Sequence, residues 1–120
     1  MLVGVGGAAG ALSRFFVSNL SYQRLGHGFP YATLTVNVLG SLVIGFLYFW
    51  LINRFSFDAE LRALLIVGFL GAFTTFSAFS IESLVLLEQG AWLKSAVYIG
   101  ASVIGCVAAA SLGMLLARLV

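Results

Sequence analysis

An asparagine, two phenylalanines and two rows of hydroxyls are the groups through which this chain could do chemistry, and all of them stand in apolar surroundings. In GFLGAFTTFSAFSIES, residues 68 to 83, Gly, Thr and Ser break up an apolar run and alternate with Phe69, Phe73, Phe76 and Phe79. In a bilayer core there is no water to satisfy such groups. They persist there only when buried against protein or lining a pathway. Phe76 and Phe79, at i and i+3, project in a similar direction from a helix. Most phenylalanines of a membrane protein pack or face lipid. Two rings presented edge-on would instead give an anion weak favourable contacts without a full positive charge, because the edge is the positive part of the ring quadrupole. Weak contacts of that kind allow passage without trapping.

Thr33, Asn37 and Ser41 recur at i, i+4 and i+8 and so share one helical face. The Asn37 amide offers two donors and an acceptor, and leaving them unpartnered in an apolar setting is expensive. Two readings are open: an interhelical hydrogen bond that fixes packing, or a donor aimed at a permeating anion. Tyr98, Ser102 and Cys106 repeat the spacing near the C-terminus. Hydroxyls there can simply bond to their own i−4 carbonyls. Taken with the hydroxyls of residues 74 to 83, the two rows can also line a narrow polar track. Gly68, Gly71, Thr74 and Thr75 permit a kinked but intact helix. They equally permit an interrupted one whose freed carbonyls are hard ligands for a small cation.

Arg14 and Glu82 are the ionisable groups set furthest into apolar runs. Such groups are functional candidates: Arg14 to raise the local anion concentration at a vestibule, Glu82 to pair with it or to cap a hydrogen-bond network. Both can alternatively snorkel, and a place near the water boundary is favoured. His27, in a Gly-rich turn, reads as exposed. The single Cys106 forms no intrachain disulfide and reads as packing volume. No metal-ligand spacing, nucleotide-binding glycine motif or nucleophile–base pair is present, so no enzyme is expected.

These residues must be positioned by membrane helices. The chain has 120 residues, 62% hydrophobic and 8% charged, against roughly 25% charged in soluble domains. Four apolar stretches, at about 2–22, 31–53, 61–88 and 92–118, reach the roughly 20 residues of a spanning helix. LGHGFP at 25 to 30, NRFSFDAE at 53 to 60 and Gln89-Gly90 fall between them as turns, with Asp58 placed to begin the third helix. A single four-helix domain covering 1–120 follows. A signal peptide is the competing reading of the N-terminus, but MLVGVGGAAGALSR lacks a basic first region and carries Arg14 within its apolar run.

Arg24 and Lys94 fall towards one face of such a bundle, and Arg54, Arg62 and Arg118 towards the other. That bias is small, so insertion in either orientation is an expectation to be tested. Gly6 and Gly10 form one small-residue contact face, and Ala101, Gly105, Ala109 and Gly113 another. They suit either contacts within one chain or a dimer.

GGAAGALSRF near the start, ATLTVNVLGSLVIG in the second stretch and GFLGAFTTFSAFSIE in the third resemble, in order and spacing, the signature regions of the small fluoride channel family, Fluc, also called CrcB. The similarity covers almost the whole chain, and the third motif is the most specific. The resemblance implies an all-α integral membrane fold in the bacterial inner membrane, with four transmembrane helices per subunit and the third broken. It further implies an antiparallel, dual-topology homodimer with two fluoride pores and a central structural sodium ion. By position in the motifs, backbone carbonyls of Gly71 and Thr74 would hold sodium. Phe76 and Phe79 would meet fluoride by their ring edges, and Asn37 would be the pore amide. Thr33, Ser77, Ser80, Tyr98 and Ser102 would complete the polar track, and Arg14 would stand at the vestibule. Ala32 and Ala72 depart mildly from glycines common in the motifs. Cys106 stands where Ser is common, and a thiol is the weaker donor.

The function so implied is passive, selective fluoride export with fluoride and the bilayer as partners and no nucleic acid. A proton-coupled four-helix multidrug exporter is the rival. It calls for a carboxylate deep in the first helix, whereas no Asp or Glu precedes Asp58. A non-transporting membrane assembly subunit is the third reading, and it leaves the aligned polar rows unexplained.

Overall fold

The computed structural model describes residues 1–54 and 58–120. Phe55, Ser56 and Phe57, part of the turn read at 53 to 60, lie outside the described residues. Helix α1 runs Leu2–Leu25 and stops at Gly26. The φ of 79° there is a left-handed conformation that costs glycine little. Helix α2, Tyr31–Arg54, starts directly after Pro30, where a missing N–H gives up no helical bond.

Asp58 opens the third segment: its carboxylate accepts from the Glu60 and Leu61 N–H groups at 2.9 and 3.1 Å, satisfying donors that a helix start leaves without partners. The segment continues through α3 (Ala59–Leu61), a π-helical stretch Arg62–Leu70 and α4 (Gly71–Phe73). Helical geometry then stops. Thr74 has ψ 158° and Thr75 φ −149°, both extended, before α5 (Phe76–Glu88) resumes. Of the two sequence readings of this segment, interruption is the one observed. After a turn at Gln89-Gly90, α6 runs Trp92–Leu119.

Tyr31–Arg54, Ala59–Glu88 and Trp92–Leu119 are each long and apolar enough to cross a membrane. Helix α1 has the length, 24 residues, but its glycines and serines with Arg14 and Asn19 make it less apolar, and it is not one of the three.

Small residues decide how these rods pack. A side chain on Gly45 would run into the Ala110 carbonyl, and one on Gly113 into that of Leu42, so α2 and α6 touch backbone to backbone. Gly6 and Gly10 press in the same way on the backbone at Leu64 and Phe69, seating α1 on the π-helical stretch. Without a hydrophobic force between helices in lipid, such close approach supplies the packing energy. At these positions the small-residue rows serve contacts within the chain, whereas Ala101 of the last row is exposed.

Candidate functional site

The break at Thr74 and Thr75 costs α4 and α5 their shared hydrogen-bond ladder, and the nearby side chains replace it. The Thr75 N–H donates to the Asn37 side-chain oxygen at 2.8 Å, and the Asn37 Nδ2 donates back to the Thr75 carbonyl at 3.0 Å. A primary amide has one donor and one acceptor edge in the geometry of a peptide, so Asn37 pairs with Thr75 as a neighbouring strand would. The Thr75 hydroxyl accepts from the Ala78 N–H at 3.2 Å and caps α5, and the Thr74 hydroxyl donates to the Leu70 carbonyl at 2.9 Å.

This substitution releases particular carbonyls. In an unbroken helix the Gly71 oxygen would accept from the Thr75 N–H and the Thr74 oxygen from the Ala78 N–H. Both donors are spent elsewhere, on Asn37 and on the Thr75 hydroxyl. Gly71 is exposed on the face of the chain and Thr74 half-buried. They are the two residues singled out from the motif as cation ligands, and their backbones lie at the break.

Beside it is a groove of about 400 Å³. Asn37, Ser41, Thr75, Phe76, Phe79, Ser102 and Cys106 all line it, so members of both polar rows and both phenylalanines meet there. Among the described residues, the Ser102 hydroxyl is the one buried side-chain polar atom with no hydrogen-bond partner. A buried polar group left in that state is costly and points to a ligand or water.

From the groove a row of aromatic rings leads towards the turn end. Phe76 and Phe79 have centroids 5.3 Å apart, and Phe79 and Tyr98 also 5.3 Å, both pairs tilted. The Glu82 carboxylate then joins three helices: Thr33 of α2 donates to one oxygen at 2.6 Å, and Tyr98 of α6 to the other at 3.1 Å. Glu82 thus caps a hydrogen-bond network, one of the three roles the sequence allowed it. It also lines a second pocket of about 280 Å³, open at the turn end of the bundle, with Tyr22, His27, Phe29 and Gln89. His27 is exposed and stacks on Tyr22 at 4.4 Å.

Not every candidate joins the groove or this row of rings. Arg14 is half-buried on α1 and lines neither pocket. It shares the helical face of Gly6 and Gly10, which rests on the third segment. Ser77 and Ser80 are exposed. Ser77 lies 3.3 Å from the Thr75 hydroxyl, and Ser80 bonds back to the Phe76 carbonyl at 3.0 Å, the i−4 bond that needs no ligand. Sequence reasoning missed Phe29 and the pairing of the Thr75 backbone with Asn37. Phe29 carries no pattern of its own, and a main-chain group leaves no mark on residue type.

A family model described as CrcB-like protein, Camphor Resistance (CrcB), matches residues 1–114. The chain belongs to the CrcB family. Several of its curated relatives are named fluoride-specific ion channel FluC. The one from Methylococcus capsulatus is 53% identical over 97% of this chain, which spans 51% of that protein. The relative from Magnetococcus marinus is 45% identical over 98% of this chain and 96% of its own length. That from Pseudoalteromonas translucida is 48% identical over 94% of each. This CrcB chain therefore spans about half of the Methylococcus protein and nearly all of the other two. Its groove, its broken segment and the Asn37–Thr75 pairing all lie within the matched residues.

Proposed function

We propose that this chain is the subunit of a fluoride-selective channel that lets fluoride leave a bacterial cell passively, down its electrochemical gradient, and so confers fluoride resistance. One observation carries the reading. An orphaned buried hydroxyl, an amide and two phenyl rings converge on one groove at a helix break, in a chain whose full-length relatives bear the name of such a channel.

Fluoride is small and holds its water tightly, so a pore must replace that water with short-range donors. Ser102 has a hydroxyl hydrogen with no partner, and the Asn37 nitrogen keeps a second hydrogen beyond the one given to Thr75. Ring edges of Phe76 and Phe79 supply weak attraction between these donors and Tyr98. The Tyr98 and Thr33 hydroxyls, held on Glu82, mark the approach to the turn-end pocket. A larger anion such as chloride would find the same donors too short in reach and too closely set.

A homodimer of four-helix subunits in antiparallel, dual-topology arrangement, with two pores, completes the proposal. In the single chain Phe76 is 78% exposed and Gly71 also faces outward. Both belong to the groove that a second copy would close. The Gly71 and Thr74 carbonyls, freed from the ladder, are hard oxygen ligands and fit a sodium ion. When bound, it would supply positive charge that ties the two breaks together. Helix α1, less apolar than the others, would cross the membrane seated on the third segment. A proton-coupled exporter is disfavoured, because α1 carries Arg14 and no carboxylate.

Purified protein in liposomes loaded with fluoride and read by a fluoride electrode tests the channel. Efflux well above that of protein-free liposomes is expected, with chloride much slower. No fluoride efflux would sink the proposal, and equal chloride rates would remove its selectivity.

A further inference from the structure

The aromatic path does not end at Tyr98. Phe29, in the turn between α1 and α2, meets the Tyr98 ring edge to face, with centroids 5.6 Å apart and planes at 87°. It also lies 5.0 Å from Tyr31. Tyr98 is fully buried, whereas Phe29 is half-buried and lines the turn-end pocket beside Glu82. Phe29 is thus the ring between that open pocket and the tyrosine whose hydroxyl rests on Glu82.

We propose that Phe29 is a positioning residue of the anion path: it fixes the Tyr98 ring so that its hydroxyl stays on Glu82 at the mouth. This rests on the channel reading above. A tyrosine ring turns about its χ angles unless neighbours hold it, and its hydroxyl position follows. Phe79 holds Tyr98 from the groove side at 5.3 Å, and Phe29 holds it from the mouth side at 5.6 Å. The edge-to-face geometry adds a directional preference that a merely apolar neighbour of similar size would lack. Losing Phe29 admits pocket water to the Tyr98 ring and frees its rotation. The Thr33–Glu82–Tyr98 triangle then loses its arm from α6.

The test uses the full chain in fluoride-loaded liposomes, with Phe29→Leu, Phe29→Tyr and Phe29→Ala compared with the unaltered protein. Phe29→Leu keeps apolar bulk without a ring, and Phe29→Tyr keeps the ring. Phe29→Leu is expected to lower fluoride flux about fivefold, the scale of one edge-to-face aromatic contact, and to lower the fluoride-to-chloride ratio. Phe29→Tyr is expected to restore both. Should Phe29→Ala fail to give monodisperse protein, the Leu and Tyr pair still decides. Flux and selectivity unchanged in Phe29→Leu would overturn the inference, as would equal losses in the Leu and Tyr variants. Absence of fluoride flux in the unaltered protein would instead strike the channel reading itself.

Discussion

At the scale of single residues, the site is a contest over who satisfies whom. Asn37 gives its oxygen and one amide hydrogen to Thr75, so it fixes packing while keeping one donor. The two sequence readings of this residue are therefore compatible in one side chain. Ser102 differs, because its buried hydroxyl has no partner among the described residues. Phe76 and Phe79 are the residues most open to test: Phe76 is largely exposed, and Phe79 is half-buried against Tyr98. Phe76→Ile or Phe79→Ile keeps apolar bulk and removes the ring quadrupole. Liposome fluoride flux is expected to fall roughly tenfold or more, the equivalent of about one strong aromatic contact, while the protein stays folded by size-exclusion chromatography. Unchanged flux would remove the rings from the path.

At the scale of elements, the broken third segment is stable because other elements supply what it lacks. Its carbonyls and N–H groups at the break lie at membrane depth, where an unpartnered group costs several kcal/mol. Asn37 from α2 and the Thr75 hydroxyl take up part of that deficit, pairing the Thr75 N–H and carbonyl and the Ala78 N–H, while the Gly71 and Thr74 carbonyls stay outside the ladder. The frame around it depends on backbone contact between α2 and α6. Gly113→Leu would drive a side chain into the Leu42 carbonyl and its neighbours, an overpacking expected to cost about 1–3 kcal/mol. A lowered thermal midpoint in detergent would register it. The same change at Gly100, where a Cβ meets open space, should leave the midpoint nearly unmoved. Equal effects at the two glycines would contradict the packing argument.

At the scale of the whole molecule, charge is divided between the two ends. Lys94 reaches the Gly28 carbonyl at the turn end. At the opposite end Arg118 sits 5.3 Å over the Phe49 ring and Arg54 bonds the Val120 carbonyl. Each end thus holds basic groups, and the rule that favours them on the cytoplasmic side gives little preference. C-terminal reporters of cytoplasmic and external location are both expected to give signal, and signal from one side alone would exclude mixed insertion. The proposed sodium belongs to this scale too, because in the dimer proposed above the freed Gly71 and Thr74 carbonyls would face the second copy. Replacing sodium by a bulky organic cation is expected to reduce fluoride flux and to weaken the dimer, read by light scattering. A flux and a dimer indifferent to sodium would contradict the assignment.

What the sequence determined by itself follows from composition and period. Long apolar runs make helices in a bilayer, and i, i+4 spacing places Thr33, Asn37 and Ser41 on one face without any knowledge of neighbours. The motif order in residues 1–114 was enough to recognise the family. Only tertiary structure decided which polar groups find partners. Residue type does not reveal that the Asn37 amide pairs with the Thr75 backbone, that Ser102 is left without a partner, or that Glu82 joins Thr33 to Tyr98. Nor did any pattern point to Phe29, whose role rests on a contact across 69 positions of chain. Such pairings depend on distances between helices, and those distances are set by glycine contacts that sequence spacing suggests but cannot direct to a particular partner.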